Sequence, residues 1–402
     1  MWIPQKHRLL STNPTSLYYF TITKSKSFLG YAQEGPRILV YMKTMKIKQK
    51  IISKQRDHTK ALLYLGKYWV WIFLVILIGG FSSAPGFFSL DNFQAVLANN
   101  SLLLVLAIGQ SFVIITGGID LSTGWVMGLA SVAASLIMRQ FPLDANLLLV
   151  IGAGLLMSLI IGLLAGWING IVISKLKVPP FIATLGMYGI ARGLGYILSG
   201  GPPVSVNHPG IGQFGNGYVF YFHPDTGTNL FKVPEGISGL ELRQMSTFLP
   251  YLVVYFLIIL VIFHLVLSKT RFGQHVYAVG GNKMAALRAG IPVDKILTQV
   301  YILSAVMASV AGFLYVMRYS GGVAAAGDAL NLNSVAAVVV GGASLNGGEG
   351  TIIGTLAGTL IIAFIQNGLI ILGIDPFYQY VAVGVIIIFA VLIDQIKRQG
   401  VK

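Results

Sequence analysis

The 402-residue chain contains no cysteine. Disulfide scaffolds, thiolate zinc sites, iron–sulfur clusters and thiol nucleophiles are therefore excluded. Charge is nearly as scarce. Asp, Glu, Lys and Arg make up 10% of residues, against about 25% in an average soluble domain. So few charges cannot coat a water-soluble body of this length. That excludes an ordinary cytoplasmic enzyme, a disordered chain and a free nucleic-acid binder. Acids are rarest, with 13 in the whole chain, and most fall between apolar runs. His7, His58, His208, His223, His264 and His275 are scattered, with no pair at metal-ligand spacing. No Gly-x-x-x-x-Gly-Lys-Ser/Thr phosphate loop and no serine nucleophile elbow occurs. The chain reads as a conduit, not an enzyme, and no metal, cofactor or nucleic acid is expected on it.

What is abundant is apolar sequence: 55% of residues are hydrophobic, the mean hydropathy is +0.76, and there are 48 glycines. A membrane-spanning helix needs about 20 mostly apolar residues. Such stretches run over 62–81, 94–115, 122–138, 146–173, 181–198, 249–267, 297–317, 331–345, 351–372 and 376–393. The expected fold is an all-α, polytopic membrane protein with about ten transmembrane helices, some broken or short. The 331–345 stretch is short and flanked by Gly, which suits a half-helix buried in protein.

Basic residues orient the chain. Residues 1–67 hold thirteen Lys and Arg against two acids, eleven of the fifteen net positive charges. If that end is cytoplasmic, alternation places the loops with Lys175 and Lys177, with Lys269, Arg271, Lys283, Arg288 and Lys295, and the C-terminal Lys397, Arg398 and Lys402 on the same side. This is the positive-inside pattern. Both termini are then cytoplasmic, and 199–248 is an external loop. Residues 1–60 form a basic tail with no signal core. It is expected either to be disordered or to reflect a start assigned too early, Met42 and Met45 being available. Residues 61–397 form the membrane domain, and 398–402 the C-terminal end.

Three segments carry the chemistry. Thr116-Gly117-Gly118-Ile119-Asp120-Leu121-Ser122-Thr123-Gly124 lies between two spans. It suits either a capped helix start or an interrupted helix lining a path. In the 268–296 loop, Asn282 is a good N-cap, and Lys283 to Ala289 are helix formers stopped by Gly290 and Pro292. Met284 and Leu287 share a face of that helix. It either docks in another protein's groove or packs on its own loop. The third segment is Val338 to Thr351, with Gly350, Gly354 and Gly358 forming a smooth helix-packing face. Asn99, Asn100, Ser101, Gln110, Asn169, Thr184, Arg192, Gln366, Asn367 and Gln379 are polar groups in or near spans. Such groups pair with one another or face a water-filled cavity.

The chain resembles the permease subunits of ribose/xylose/galactoside-type ABC sugar importers, over roughly residues 60–397. The resemblance rests on Gly117-Gly118-Ile119-Asp120-Leu121-Ser122, on Val178-Pro179-Pro180-Phe181-Ile182-Ala183-Thr184-Leu185-Gly186, and on Gly280-Gly281-Asn282 through Ala285-Ala286 to Gly290-Ile291. It also rests on Gly341-Gly342-Ala343-Ser344-Leu345 with Gly347-Gly348-Glu349-Gly350, on Asn367-Gly368-Leu369, and on Ala390-Val391-Leu392-Ile393-Asp394. It implies a multi-pass permease of a bacterial cytoplasmic (inner) membrane that imports a monosaccharide delivered by an extracytoplasmic binding protein. It further implies a second permease subunit, identical or not, and ATPase subunits that carry the ATP and Mg. The matching coupling residues are Asn282, Met284, Ala285, Ala286, Leu287 and Gly290. Asn99, Gln110, Asp120, Gln366 and Asn367 are candidates for the substrate path. The alternatives are the same machine carrying autoinducer-2, a nucleoside or inositol, and an ion-coupled secondary transporter. The latter is disfavoured because Asp120 is the only clear acid near a span interior.

Overall fold

A helix stands on each of the ten apolar stretches. The computed structural model describes residues 68–224, 227–233, 245–375 and 377–399. The expectations for the 1–60 tail and for 400–402 lie outside them. The helices are α1 (Tyr68–Phe81), α2 (Leu90–Ile115), α3 (Thr123–Met138), α4 (Leu147–Ser174), α5 (Pro180–Ser199), α6 (Ile211–Asn216), α7 (Tyr251–Lys269), α8 (Arg271–Gly281), α9 (Lys283–Arg288), α10 (Val293–Tyr319), α11 (Asp328–Val340), α12 (Ile352–Ile371) and α13 (Phe377–Gln399). Among the described residues six, α2, α4, α5, α7, α10 and α12, are long and apolar enough to cross a membrane. α1, α3, α11 and the first part of α13 are shorter apolar helices. The 13 residues of α11 make it about 20 Å long, too short for a hydrocarbon core of about 30 Å.

Two helices sit at the centre. α2 and α10 are mostly buried, whereas α4, α5 and α7 expose most of their surface. What they expose is apolar: Leu156, Leu163, Ile258 and Val261 are more than 45% exposed. Water would penalise that surface and lipid does not, so the inside-out pattern is that of a membrane protein. α2 is the wall between two cores. Val96, Leu103, Ala107 and Ile114 share one face and pack with Val338, Ile361 and Phe364. Val105, Ile108, Phe112 and Ile115 face the other way, toward Tyr301, Val300 and Trp125.

The all-helical expectation needs one correction. The segment between α5 and α7 carries β2 (Tyr218–His223), β3 (Gly227–Leu230) and β4 (Ser246–Pro250), an antiparallel sheet in the order β3-β2-β4. A second pair joins β1 (Val204–Ser205) to β5 (Gly321–Gly322). Tyr-Val-Phe-Tyr-Phe-His over 218–223 is a β-branched and aromatic run that prefers extended backbone. Tyr221 and His223, two apart, are its buried positions. Gln94 ties the sheet to α2, accepting from Leu249 N at 2.8 Å and donating to Thr247 O at 3.0 Å.

Candidate functional site

The 268–296 loop contains two helices, not one. Thr270 caps α8 by accepting from Gly273 N at 3.2 Å, and Asn282 caps α9 by accepting from Ala285 N at 2.9 Å. At the other end of α9, Ile291 N bonds Ala286 O and Gly290 N bonds Leu287 O, each at 3.0 Å. This is a Schellman closure with Gly290 at φ +80°, a conformation other L-residues resist. Ala286 is buried beneath the helix, while Met284 and Leu287 are 60% and 57% exposed. Those two side chains line a groove of about 500 Å³ with Val178, Pro179 and Pro180. The Lys177–Asp294 ion pair, at 2.7 Å, adjoins it. Two of the sequence motifs therefore meet at one surface.

Behind this surface, three of the glycine motifs converge. A Cβ on Gly280 would overlap the Ile115 carbonyl oxygen and lie 2.6 Å from Gly348 N. A Cβ on Gly347 would lie 2.9 Å from Gly117 N. Gly348 N donates to Ile115 O at 2.8 Å. Tyr277, on α8, donates its hydroxyl to Gly350 O at 2.6 Å. The backbones of α8, the end of α2 and the 347–350 turn are thus in direct contact. Only glycine permits that approach, and it leaves little room for relative sliding. Further along, Gly354 and Gly358 of α12 lie against the backbone of Gly341 and Ala337, as the smooth-face reading expects.

The 116–122 segment is held from four helices. Asp120 is fully buried and accepts from Ser122 N at 2.9 Å, Ser122 Oγ at 2.6 Å and Ser304 Oγ at 2.9 Å. Asn169 of α4 donates to Ser122 Oγ at 3.1 Å, and Thr184 of α5 donates to Ile119 O at 3.3 Å. The cap of α3 is not its own Ser122, which makes no side-chain cap bond. Asn331 of α11 supplies it, accepting from Thr123 Oγ1 at 2.8 Å and Gly124 N at 3.3 Å and donating to Leu121 O at 2.7 Å. Asp120 is therefore a structural anchor of the helix break rather than a lone acid.

The other path candidates do not gather around it. Asn99 is exposed and accepts from the Arg318 guanidinium. Asn367 exchanges amide hydrogen bonds with Asn92, at 2.8 and 3.1 Å, and Gln366 is half-buried beside it. Gln110 is fully buried, with neither amide atom hydrogen-bonded among the described residues. Asn99 and Gln110 are separated by eleven residues of α2, or about 16 Å along its axis.

The chain itself has relatives among known proteins. The profile of the family described as branched-chain amino acid transport system, permease component, matches residues 92–391. The chain is 35% identical to the ribose import permease protein RbsC of Escherichia coli K12 over 352 residues, 86% of this chain and 98% of that one. It is 35% identical to RbsC of Bacillus subtilis 168 over 358 residues, 88% and 99% of the two chains. It is 34% identical to the galactose/methyl galactoside import permease protein MglC of Escherichia coli K12 over 349 residues, 84% and 96%. No solved structure matches significantly. The chain belongs to this family of transport permease components.

The permease match begins near the start of α2 and ends within α13, so it contains α9 and the groove beside it, the glycine hub and the 116–122 segment. Inside it lie two residues that sequence reasoning missed, Ser304 and Asn331. Ser304 is one small polar residue in a long span. Asn331 opens the expected 331–345 stretch, and its position at the edge of an unusually short apolar run is the one signal that marks it.

Proposed function

We propose that the chain is the membrane-spanning permease of an ATP-driven importer that carries a monosaccharide, ribose or galactose being the cargoes named among its relatives. Ten spans, with both termini in the cytoplasm of a bacterial inner membrane, fit the distribution of Lys and Arg. The external loop with its small sheet then faces an extracytoplasmic sugar-binding protein. A second permease subunit completes the path, and ATPase subunits supply ATP hydrolysis. The ion-coupled alternative lacks acids: Asp120 is the only Asp or Glu among the buried described residues, and its donors are already in place.

The observation that carries this reading is α9. It is closed at both ends by Asn282 and Gly290, roots Ala286 in the protein, and presents Met284 and Leu287 outward. A rigid short helix with two apolar anchors fits a groove on a partner. Through α8 and Gly280 it touches the end of α2, so a push on α9 reaches the helix break at 116–122. The test is uptake of labelled D-ribose and D-galactose by cells making the complete transporter. Gly290→Val opposes the left-handed turn and should abolish uptake at normal membrane levels. Gly290→Asn, which tolerates that turn, should keep part of it. Undiminished uptake by the Val variant would overturn the coupling role.

A further inference from the structure

α5 carries a polar row of which the helix break uses only Thr184, through its bond to Ile119 O, and the coupling surface uses none. Thr184, Tyr188, Arg192 and Tyr196 recur every fourth residue, so they form one ridge about 18 Å long. Thr184 is buried at one end and Tyr188 is half-buried, whereas Arg192 and Tyr196 are exposed. Trp125 of α3 is the anchor beneath them, 2% exposed. The Arg192 guanidinium lies 4.9 Å from its ring centroid. Tyr188 and Tyr196 pack against the same ring at 5.5 and 5.9 Å. Trp125 Nε1 is buried with no acceptor among the described residues.

Beside the ridge, Gly186, Gly189 and Gly193 have nothing within 4 Å of where a Cβ would stand. α5 thus presents a permanently charged fork, two phenols and a strip of open backbone. Arg192 is seven residues from the end of a helix long and apolar enough to cross a membrane, about 10 Å along its axis, and forms no ion pair among the described residues. An exposed guanidinium at that depth faces water or a polar ligand, not hydrocarbon. The exposed sides of α4 and α7 hold no charged residue in mid-helix; their large exposed side chains there are Leu, Ile and Val, with Trp167 on α4.

We infer that this face of α5 lines the translocation path, and that Arg192, Tyr188 and Tyr196 contact a polyhydroxylated cargo in transit. Tyr pairs an apolar ring with a hydroxyl, which suits the alternating C–H and O–H surface of a sugar. Arg offers five donors to hydroxyl oxygens. Stacking on Trp125 holds that fork in place, and the glycines leave width for the solute. The inference rests on the importer reading and assigns its contact residues.

The chain has no cysteine, so an introduced thiol is the only one on it. Gly189→Cys and Tyr196→Cys, with Ile258→Cys on the outer face of α7 as control, are treated with a membrane-impermeant charged maleimide in membranes holding the complete transporter. Both α5 thiols should react more than about tenfold faster than the control, because a water-filled face is accessible and lipid is not. Labelling as slow as the control would overturn the inference. In uptake assays, Arg192→Met should cut the maximal rate more than about tenfold, Arg192→Lys less. The half-saturating concentration should hold, since a binding protein sets it. Arg192→Met transporting D-ribose or D-galactose at the unaltered rate would overturn the contact role. Uptake of L-leucine and of neither sugar by the unaltered transporter would overturn the monosaccharide reading instead, and the labelling result would still decide whether α5 faces water.

Discussion

Asn331→Ala tests whether the helix break at 116–122 is built by tertiary contact. Asn331 is 5% exposed and makes three hydrogen bonds across the break. A solvent-exposed side-chain N-cap is worth about 1 kcal/mol, and burial of the groups it serves raises that cost. Gly124 N–H and Leu121 C=O then lose their partner in a buried site, at about 1–3 kcal/mol for each unsatisfied group. Partial fraying of the first turn of α3 offsets some of this. The expected loss is about 3–5 kcal/mol. Ser89→Ala is the comparison, because Ser89 caps α2 locally, accepting from Asn92 N at 3.2 Å in an exposed setting. Its loss should be about 1 kcal/mol. Both are measured by reversible unfolding of the purified chain in mixed micelles, following helicity. If Asn331→Ala falls within about 0.5 kcal/mol of Ser89→Ala, the cap is dispensable and the reasoning fails.

Gly280→Ala should destabilise by about 1–3 kcal/mol, because its methyl group overlaps the Ile115 carbonyl, whereas Gly281→Ala, with open space around it, should be nearly silent in the same unfolding assay. A double-mutant cycle on Asn92 and Asn367 should return a coupling of about 0.6–1.7 kcal/mol, the range of interhelical amide bonds in membranes. Tyr277→Phe should cost about 1 kcal/mol near neutral pH through the lost bond to Gly350 O. Burial raises the Tyr277 hydroxyl above its ordinary 10.0, so both states keep the proton below that pH and the contribution is full there. Above pH 10.0 the unfolded chain ionises first, and the contribution falls as pH rises toward the folded value. The stability gap between the two chains, measured against pH, should therefore narrow only in alkali.

The helices were legible because lipid asks little of a span. A run such as Tyr251 to Lys269 needs only apolar residues, with no partner to specify it. α9 was legible because caps are local: Asn282 and Gly290 lie at the ends of the six residues they close. α8 was not, since Gly280 and Gly281 read as a loop when the residue across from them is unknown. Gly280 must be glycine because Ile115 and Gly348 press against it, whereas Gly281 beside it has open space. The small sheet was not legible because Tyr218 to His223 is apolar and aromatic on both faces, so that only burial in the folded chain, at Tyr221 and His223, shows the alternation. Asn99 and Asn367 were chosen as polar groups in apolar runs, and they turned out to bond Arg318 and Asn92. Sequence cannot separate a polar group that joins two helices from one that meets a solute, because the difference lies wholly in what stands opposite.

By itself the sequence determined the membrane, the helices and the family. Scarce charge and apolar runs of spanning length are properties of the solvent around the chain, and order and spacing of motifs are properties of the chain alone. Tertiary structure decided which of those motifs touch. It brought Gly117, Gly280 and Gly347 into one backbone contact, and it gave α3 a cap from 207 residues away. It also showed that Arg192 stands exposed on Trp125 while Asp120 is enclosed. Those facts depend on close approach between distant segments, which short-range propensity does not encode.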